Sequence, residues 1–347
     1  MALVPPPLTS PPHLLCDWIE LKTLCEPTCS YRIGSLKRLW DVTRESEDTD
    51  PTGMDVREFE TDTDGVSGSD DDAFLDSLLG EIQDRMTALG DAYPFQLDGD
   101  TRICIGATPT YGGYAYLFCL LLTYANGKPL LDGWLPQVNH KVRDLFQACS
   151  TVAAAAEVTG CAISFGWPRP NSNPQFLVRL REVYTMFGEG TVVATPRPGV
   201  SPSPKDEEID IIAWRPRRDG AAGKDYLLGQ VASGDNWEGK PLVGGPIASF
   251  HRNWFEPAPA SAARASIFIP HAIHPNVDTG TRRERMDAIT IRYGVIIDRL
   301  RLPSLMQEGI ALAEKQHANI TIERISDLSK ITHWVVNQIT TLRVAAQ

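Results

Sequence analysis

Two stretches of the sequence decide the fold: residues 205–214 read KDEEIDIIAW, and residues 228–234 read LGQVASG. Both contain runs of apolar and β-branched residues, and turn-forming Asp-Gly and Gly-Lys sequences lie between them. We therefore predict two strands that pair as a hairpin. Asp210 stands inside the first apolar run, and Gln230 lies near the end of the second. An isolated carboxylate is costly to bury in such a strand unless a metal ion, a cation or several donors surround it.

The two polar side chains of this hairpin indicate its chemistry. Paired strands bring Asp210 and Gln230 to one end of the sheet, on the same face where the register allows. A carboxylate and an amide oxygen form a pocket of hard ligands, which is the kind that Mg²⁺ prefers in proteins. The alternatives are a structural ion pair of Asp210 with Arg215 or Arg217, and a role for Gln230 as a hydrogen-bonded amide of the core.

The order of helix, strand, strand with an aspartate and strand with a glutamine resembles that of the PD-(D/E)xK, restriction-endonuclease-like nuclease superfamily. Asp210 matches the motif aspartate, and Gln230 matches the second motif position in its glutamine form. The motif lysine falls at residue 232, which is Ala232 in this chain. The resemblance implies that Lys240 replaces this lysine and that Glu189, after the preceding helix, supplies a further acid.

The resemblance implies a Mg²⁺- or Mn²⁺-dependent endonuclease that hydrolyses DNA phosphodiester bonds. Asp210, Gln230 and Glu189 would bind the metal ion, and Lys240 would orient the attacking water and offset the charge on the phosphate. The alternative is a nuclease-like fold without catalysis that serves as a binding or assembly subunit, which the substitution by Ala232 favours.

More loosely, the chain resembles nuclease-fold proteins of bacterial anti-phage defence loci. The short pieces that carry this likeness include Tyr93-Pro94-Phe95, Gly229-Gln230 and Ile269-Pro270-His271. The likeness implies an effector of such a defence system. Its expected partners are DNA, a sensor or NTPase protein of the same system, and a second copy of the chain.

Further polar side chains are candidates for contacts with nucleic acid, because hydroxyl and guanidinium groups donate to phosphate oxygens. The alternative for the arginines is a solvated charged surface or local ion pairs. Two other pairs, Cys25/Cys29 and His271/His274, offer too few ligands to favour a metal site. The candidate nucleic-acid contacts are Ser233, Arg215, Arg217, Arg299 and Arg301.

The negative charge of the chain is concentrated in one segment. The formal net charge is −11, and Asp41–Asp72 holds 13 acidic and two basic residues. The rest of the chain is neutral, with 31 acidic and 31 basic residues. The composition of this segment predicts a disordered acidic insert. A neutral remainder is compatible with a basic surface and a nucleic-acid partner.

We predict an α/β protein with two regions. Residues 1–137 form a mainly helical N-terminal region that carries the insert 41–72. Residues 138–347 form a nuclease-like α/β domain, with a mixed sheet flanked by helices and a helical C-terminus. The boundary lies at the Gly- and Pro-punctuated stretch Gly127–Pro136. Since no apolar run reaches the ~18–20 residues that span a bilayer and no signal-peptide pattern is present, we expect a cytoplasmic protein without membrane contact.

Hydrophobic periodicity gives the boundaries of the predicted elements. The predicted helices are Phe74–Leu89, Tyr114–Tyr124, Val138–Thr159 and Phe176–Phe187. The predicted strands besides the hairpin are Ala162–Phe165, Thr191–Thr195, Ala265–Pro270 and Ile289–Ile297.

Overall fold

The computed structural model has the α/β class that the sequence predicts. The described residues are 3–8, 10–36, 38–39, 66–99, 102–106, 108–124, 130–131, 138–167, 169, 175–201, 204–205, 207–275, 280–315 and 319–346. Most of the predicted acidic insert, residues 41–65, lies outside these ranges, whereas residues 66–72 belong to a helix. Among the described residues, no helix combines the length and hydrophobicity that crossing a bilayer requires.

The N-terminal region combines helices with a small antiparallel sheet in which β3 is the central strand. Its strands are β1 (Ser30–Arg32), β2 (Phe95–Asp98) and β3 (Arg102–Ile105). Its long helices are α1 (Pro12–Cys25), α2 (Val66–Leu89) and α3 (Tyr111–Thr123). The three strands are not predicted from the sequence, because three or four residues are too few to show a clear alternation of apolar and polar side chains.

A mixed five-stranded sheet forms the centre of the remaining chain, with its strands in sequence order. Strands β4, β5 and β6 are antiparallel, while β6, β7 and β8 run parallel. The predicted hairpin is confirmed, since β5 and β6 pair from Ile211 opposite Gly229 to Trp214 opposite Tyr226. The strands are β4 (Cys161–Ser164), β5 (Ile211–Trp214), β6 (Tyr226–Val231), β7 (Ala263–Phe268) and β8 (Val295–Ile297).

Helices flank this sheet. The predicted helix Phe176–Phe187 is confirmed with the same bounds, and the helix predicted at Val138–Thr159 is observed at His140–Val158. The Ala-rich half of that helix packs closely, because a Cβ atom at Gly309 would overlap the carbonyl oxygen of Val152. The helices are α4 (His140–Val158), α5 (Phe176–Phe187), α6 (Gly245–Trp254), α7 (Arg282–Tyr293), α8 (Leu302–Glu314) and α9 (Leu328–Ala346).

Two predicted strands are wrong. Most of Ile289–Ile297 belongs to α7, which begins with a capping box: Glu284 N donates to Thr281 Oγ1, and Thr281 N donates to the Glu284 carboxylate. Gly294, at φ 72°, ends this helix and lets β8 begin. Residues 191–195 form no strand, and Val192 makes only an isolated bridge with Phe255.

The hydrophobic core crosses the predicted boundary between the two regions. Phe118 of α3 contacts Phe146 of α4, with ring centroids 6.4 Å apart, and Trp334 of α9, with centroids 5.1 Å apart. All three side chains belong to one continuous apolar cluster. The stretch near residue 138 therefore does not separate two independent cores.

A buried network of charges joins the N-terminal helices to the end of the central sheet. The Asp17 carboxylate accepts hydrogen bonds from Arg299 Nη2 at 2.6 and 2.7 Å, from Arg85 Nη1 at 2.5 Å and from the Tyr124 hydroxyl at 2.5 Å. Arg85 Nη1 also donates to Glu20 at 2.9 Å. Burial by itself raises the pKa of Asp17, but the guanidinium groups of Arg299 and Arg85 hold this pKa well below its ordinary value.

We predict that Asp17→Asn destabilises the fold by about 3–5 kcal/mol, because the isosteric amide leaves the Arg299 charge buried without an anionic partner. Urea unfolding of the full chain at pH 7 measures this loss. The matched control is Glu256→Gln, which removes the exposed ion pair with Arg197 and should cost less than about 1 kcal/mol. A loss below about 1 kcal/mol for Asp17→Asn would show that the network does not hold the regions together.

Candidate functional site

A cleft of about 460 Å³ opens beside the carboxyl end of β6, between α4 and the turn that follows the strand. It brings together Asp210, Ser233 and Lys240, three of the side chains that the sequence singles out. Most of the other lining side chains are polar. The full lining is His140, Arg143, Asp144, Gln147, Trp167, Asp210, Val231, Ser233, Gly234, Asn236 and Lys240.

A β-bulge directs the Asp210 side chain into this cleft. Asp210 immediately precedes β5, and its backbone N–H donates to the Gly229 carbonyl at 2.8 Å, although Gly229 is the register partner of Ile211. Asp210 and Ile211 thus both lie opposite Gly229. Such a bulge changes the face of the sheet to which a side chain points. Asp210 Oδ2 then accepts the backbone N–H of Val231 at 2.8 Å, so one end of the carboxylate is fixed to β6.

Gln147 of α4 supplies the amide that accompanies this carboxylate. Its Nε2 donates to Ser164 Oγ at 2.9 Å, which fixes the orientation of the amide and leaves Oε1 as its remaining acceptor. A Cβ atom at Gly166 would overlap both the Asp210 carboxylate and the Gln147 amide. Only a glycine at residue 166 therefore lets the two side chains converge over the backbone.

The N-terminal half of α4 presents a polar stripe to the cleft. Asn139 caps the helix, since its Oδ1 accepts the backbone N–H groups of Lys141 and Val142 at 3.0 and 3.1 Å. The cleft residues that follow have the i, i+3, i+4, i+7 spacing of one helix face. Such a stripe in an otherwise apolar predicted helix is a sequence signal for this site. Its members are His140, Arg143, Asp144 and Gln147.

Lys240 reaches the cleft from an anchored turn. Residues Asp235–Gly239 form a 3₁₀ helix, after which Lys240 N donates to the Trp237 carbonyl at 3.0 Å. The Trp237 ring packs against Tyr293 at a centroid distance of 5.2 Å, and the Tyr293 hydroxyl donates to the Glu238 carbonyl at 2.6 Å. These contacts hold the start of the Lys240 side chain at the wall of the cleft.

Charge in the cleft is unevenly compensated. Arg324 neutralises Asp144 through two hydrogen bonds, at 3.0 and 2.7 Å. Within the part of the chain that the structure describes, no ion pair involves Arg143 or Lys240. Two cations therefore remain available to an anionic group that enters the cleft.

An aromatic side chain stands at the rim of the cleft. Trp167 is 48% exposed, although large apolar side chains are usually more buried. The guanidinium carbon of the mostly buried Arg169 lies 5.4 Å from the centre of the Trp167 ring, which supports the indole from one side.

The structure separates Gln230 from Asp210. Side chains alternate along β6, so Gln230 and Ala232 lie on the face opposite to the cleft-lining Val231. Gln230 is 5% exposed, and its Oε1 has no hydrogen-bond partner among the described residues. The expectation that Gln230 and Asp210 share one face is wrong, because the bulge turns Asp210 toward α4.

Glu189 is also remote from the cleft. Its carboxylate accepts hydrogen bonds from Lys224 Nζ at 2.9 Å and from the backbone N–H and hydroxyl of Ser261, both at 2.8 Å. Burial by itself raises the pKa of Glu189. These donors lower the pKa by a larger amount, so it lies below its ordinary value. Since Lys224 precedes β6 and the cleft lies beyond its other end, the six residues of the strand put about 20 Å between the two places. Glu189 is thus not brought to Asp210.

The candidate arginines do not line the cleft. Arg299 is fully buried and bonded to Asp17, so its predicted contact with nucleic acid is wrong. Arg215 donates to the Val158 carbonyl and Arg217 to the Gly223 carbonyl, at the hairpin end away from the cleft. Arg301 donates to the Ile296 carbonyl.

The cleft fits a metal ion that takes few protein ligands. No group of three or more His, Cys, Asp and Glu side chains that could hold a metal ion occurs among the described residues. Mg²⁺ needs fewer, since it commonly binds one or two carboxylates and completes its shell with water and substrate phosphates. The Asp210 carboxylate and the Gln147 amide oxygen are hard ligands of this type.

Comparison with known proteins identifies no relative. No family model matches the sequence, and no curated protein or solved structure matches the chain. The geometry of the cleft therefore carries the functional argument.

We predict that Ala232→Lys destabilises the protein and does not restore a motif lysine. Ala232 is 1% exposed and packs in an apolar cluster with Trp237 and Ile267. A lysine there overfills the core and loses hydration of its charge, so we expect a loss of about 3 kcal/mol or more.

Thermal unfolding of Ala232→Lys measures this loss against Val243→Lys, which places the same side chain at a 42% exposed residue. If Ala232→Lys melts like the parent protein, the side chain of residue 232 faces the cleft or solvent and the assignment of faces is wrong.

Proposed function

We propose that this chain is a Mg²⁺-dependent nuclease that hydrolyses phosphodiester bonds of DNA in the cleft beside β6. The observation that carries the proposal is the convergence of a bulge-directed carboxylate, Asp210, with Lys240 and Arg143 in one cleft. These side chains come from three separate elements. An acid beside two available cations suits a substrate with phosphate groups and a divalent metal ion.

The order of the elements supports a restriction-endonuclease-like fold for this region. Helix α4 is followed by β4, by helix α5, by β5 with Asp210 immediately before it, and then by β6 with Gln230 near its end. This is the arrangement that the resemblance to the PD-(D/E)xK superfamily implies. The parallel strands β7 and β8 extend the sheet beyond β6.

Asp210 and Gln147 are the residues that would hold the metal ion. When bound there, the ion would supply Lewis-acid activation of the phosphate and of the attacking water. Gln147 takes the role that the sequence assigns to Gln230, because its amide, unlike that of Gln230, lies beside the carboxylate. Gly166 leaves the space in which both groups meet.

The other cleft residues act on the substrate. Lys240 and Arg143 place positive charge where negative charge develops on the phosphate, and such preorganised charge stabilises the transition state. Ser233 and Asn236 offer donors for phosphate oxygens. The exposed Trp167 ring offers a surface on which a nucleobase can stack, which favours a nucleic acid over a smaller phosphodiester.

A second candidate function is binding without catalysis. The positions of Gln230 and Glu189, away from the cleft, favour it, because the described cleft lining then offers two carboxylates, Asp210 and the Arg324-paired Asp144. In this case the cleft binds nucleic acid as part of a larger complex. The effector role in anti-phage defence and a sensor or NTPase partner stay predictions from the resemblance.

We predict that Asp210→Asn abolishes Mg²⁺-dependent cleavage of plasmid and single-stranded DNA while the DNA affinity measured in EDTA is kept or increases. The substitution removes an anionic metal ligand and one negative charge without changing volume. Asp287→Asn, at an exposed residue of α7, is the matched control and should cleave like the parent protein.

Cleavage by Asp210→Asn at the parent rate would show that Asp210 is structural. A parent protein that binds DNA but cleaves neither substrate with Mg²⁺ or Mn²⁺ would favour the second candidate function.

We predict that Lys240→Ala slows cleavage by about 10²–10³-fold, the usual effect of removing one preorganised charge from a transition state. Single-turnover rates with saturating DNA separate this effect from weaker binding. Lys315→Ala, at an exposed lysine beyond the end of α8, is the control and should leave the rate unchanged. A Lys240→Ala rate within about twofold of the parent would exclude Lys240 from the reaction.

A further inference from the structure

A second concave site lies at the edge of the small N-terminal sheet and is lined by three arginines. Its volume is about 560 Å³, in the range of small-molecule sites. Three separate parts of the chain contribute to it: the end of β1, the residues after β1, and the end of β2 with the start of β3. The lining is Arg32, Gly34, Arg38, Asp98, Gly99 and Arg102.

The sheet register makes this arrangement electrostatically unfavourable by itself. Arg32 of β1 lies directly opposite Arg102 of β3, and directly opposite side chains share one face of an antiparallel sheet. Like charges in this relation destabilise the pair. Asp98 lies opposite Arg102 on its other side. Among the described residues, which include both of these side chains, Asp98 and Arg102 do not form an ion pair.

The guanidinium groups of the site are available to a ligand. Within the described residues, no hydrogen bond or ion pair engages the side chain of Arg32, Arg38 or Arg102. Arg32 and Arg38 are exposed, and Arg102 is half-buried. With Asp98 included, the four charged side chains carry a net charge of +2. A dianion therefore balances the site and removes the repulsion between Arg32 and Arg102.

The backbone around the arginines leaves room for such a ligand. A Cβ atom at Gly34 or Gly99 would meet no atom of the described residues within 4 Å, so this part of the chain leaves space beside both glycines. Guanidinium groups present paired N–H donors that match two oxygens of one phosphate, and arginine is therefore favoured over lysine where phosphate is bound.

We propose that these three arginines form a binding site for phosphate groups, separate from the cleft beside β6. The chemical class of the ligand is an oligophosphate, supplied either by a free nucleotide or by the backbone of a nucleic acid. The proposal does not depend on the nuclease function, because none of the three arginines lines the cleft.

Calorimetric titration of the full chain with pyrophosphate and with ADP tests the site. Arg32→Gln and Arg38→Gln should each weaken binding by at least about 10-fold, the loss expected for one charge-assisted hydrogen bond. Arg102→Lys should lose part of the affinity, since lysine keeps the charge but not the paired donors. Asp98→Asn should tighten binding, because it removes the one negative charge among the described lining residues.

The controls separate this site from general surface charge. Arg283→Gln alters an exposed arginine of α7, and Lys315→Ala alters an exposed lysine beyond the end of α8; both should bind pyrophosphate like the parent protein. Thermal unfolding of each variant checks the fold. Equal weakening by Arg283→Gln, or parent-like binding by both Arg32→Gln and Arg38→Gln, would overturn the proposal.

Competition identifies the source of the phosphate. A single-stranded DNA oligonucleotide that displaces ADP from the parent protein and from Lys240→Ala, but binds Arg32→Gln weakly, indicates that the site holds a nucleic-acid backbone. ADP binding that the oligonucleotide leaves unchanged indicates a free nucleotide. Failure of pyrophosphate, ADP and the oligonucleotide to bind would contradict the site altogether.

Discussion

The ion pair between Asp17 and Arg299 connects the first helix to the end of the central sheet, and the candidate cleft depends on that sheet. Both Asp17 oxygens accept from Arg299 Nη2, and neither side chain is exposed to any significant extent. Arg299 N also donates to the His271 carbonyl at 3.2 Å, and His271 Nε2 lies 3.8 Å from Asp235 in the turn that carries the cleft residues. The ends of the parallel strands are therefore fixed together with the N-terminal helices.

The second constraint is the close approach over Gly166. The bulge at Asp210 gives the carboxylate an amide donor from Val231, and the missing side chain at Gly166 lets Gln147 come beside it. A buried or half-buried acid is stable only with such donors. The bulge and the space at Gly166 thus have two effects. They stabilise the Asp210 carboxylate in the fold, and they direct it into the cleft.

The hairpin, the helix Phe176–Phe187 and the place of Asp210 next to the hairpin can be predicted from the sequence, because each depends on local patterns of apolar residues. The amide side chain that lies beside Asp210 in the cleft cannot be predicted in this way. A bulge shifts the face of one side chain without changing the strand pattern, so Gln230 stands where the motif predicts it and still faces away. Arg299 shows the same limit, since its partner Asp17 is 282 residues away in the chain. The polar stripe on α4 was visible in the sequence, but only the fold shows that it faces Asp210.

The most direct test of the account is the position of a divalent metal ion in crystals of the full chain soaked with Mn²⁺. We expect an anomalous difference peak in the cleft, in contact with the Asp210 carboxylate and the Gln147 amide oxygen, and no such peak in crystals of Asp210→Asn. A peak that instead contacts Glu189 or Gln230, or a cleft without any peak at saturating Mn²⁺, would contradict the assignment of this cleft as the metal-dependent site.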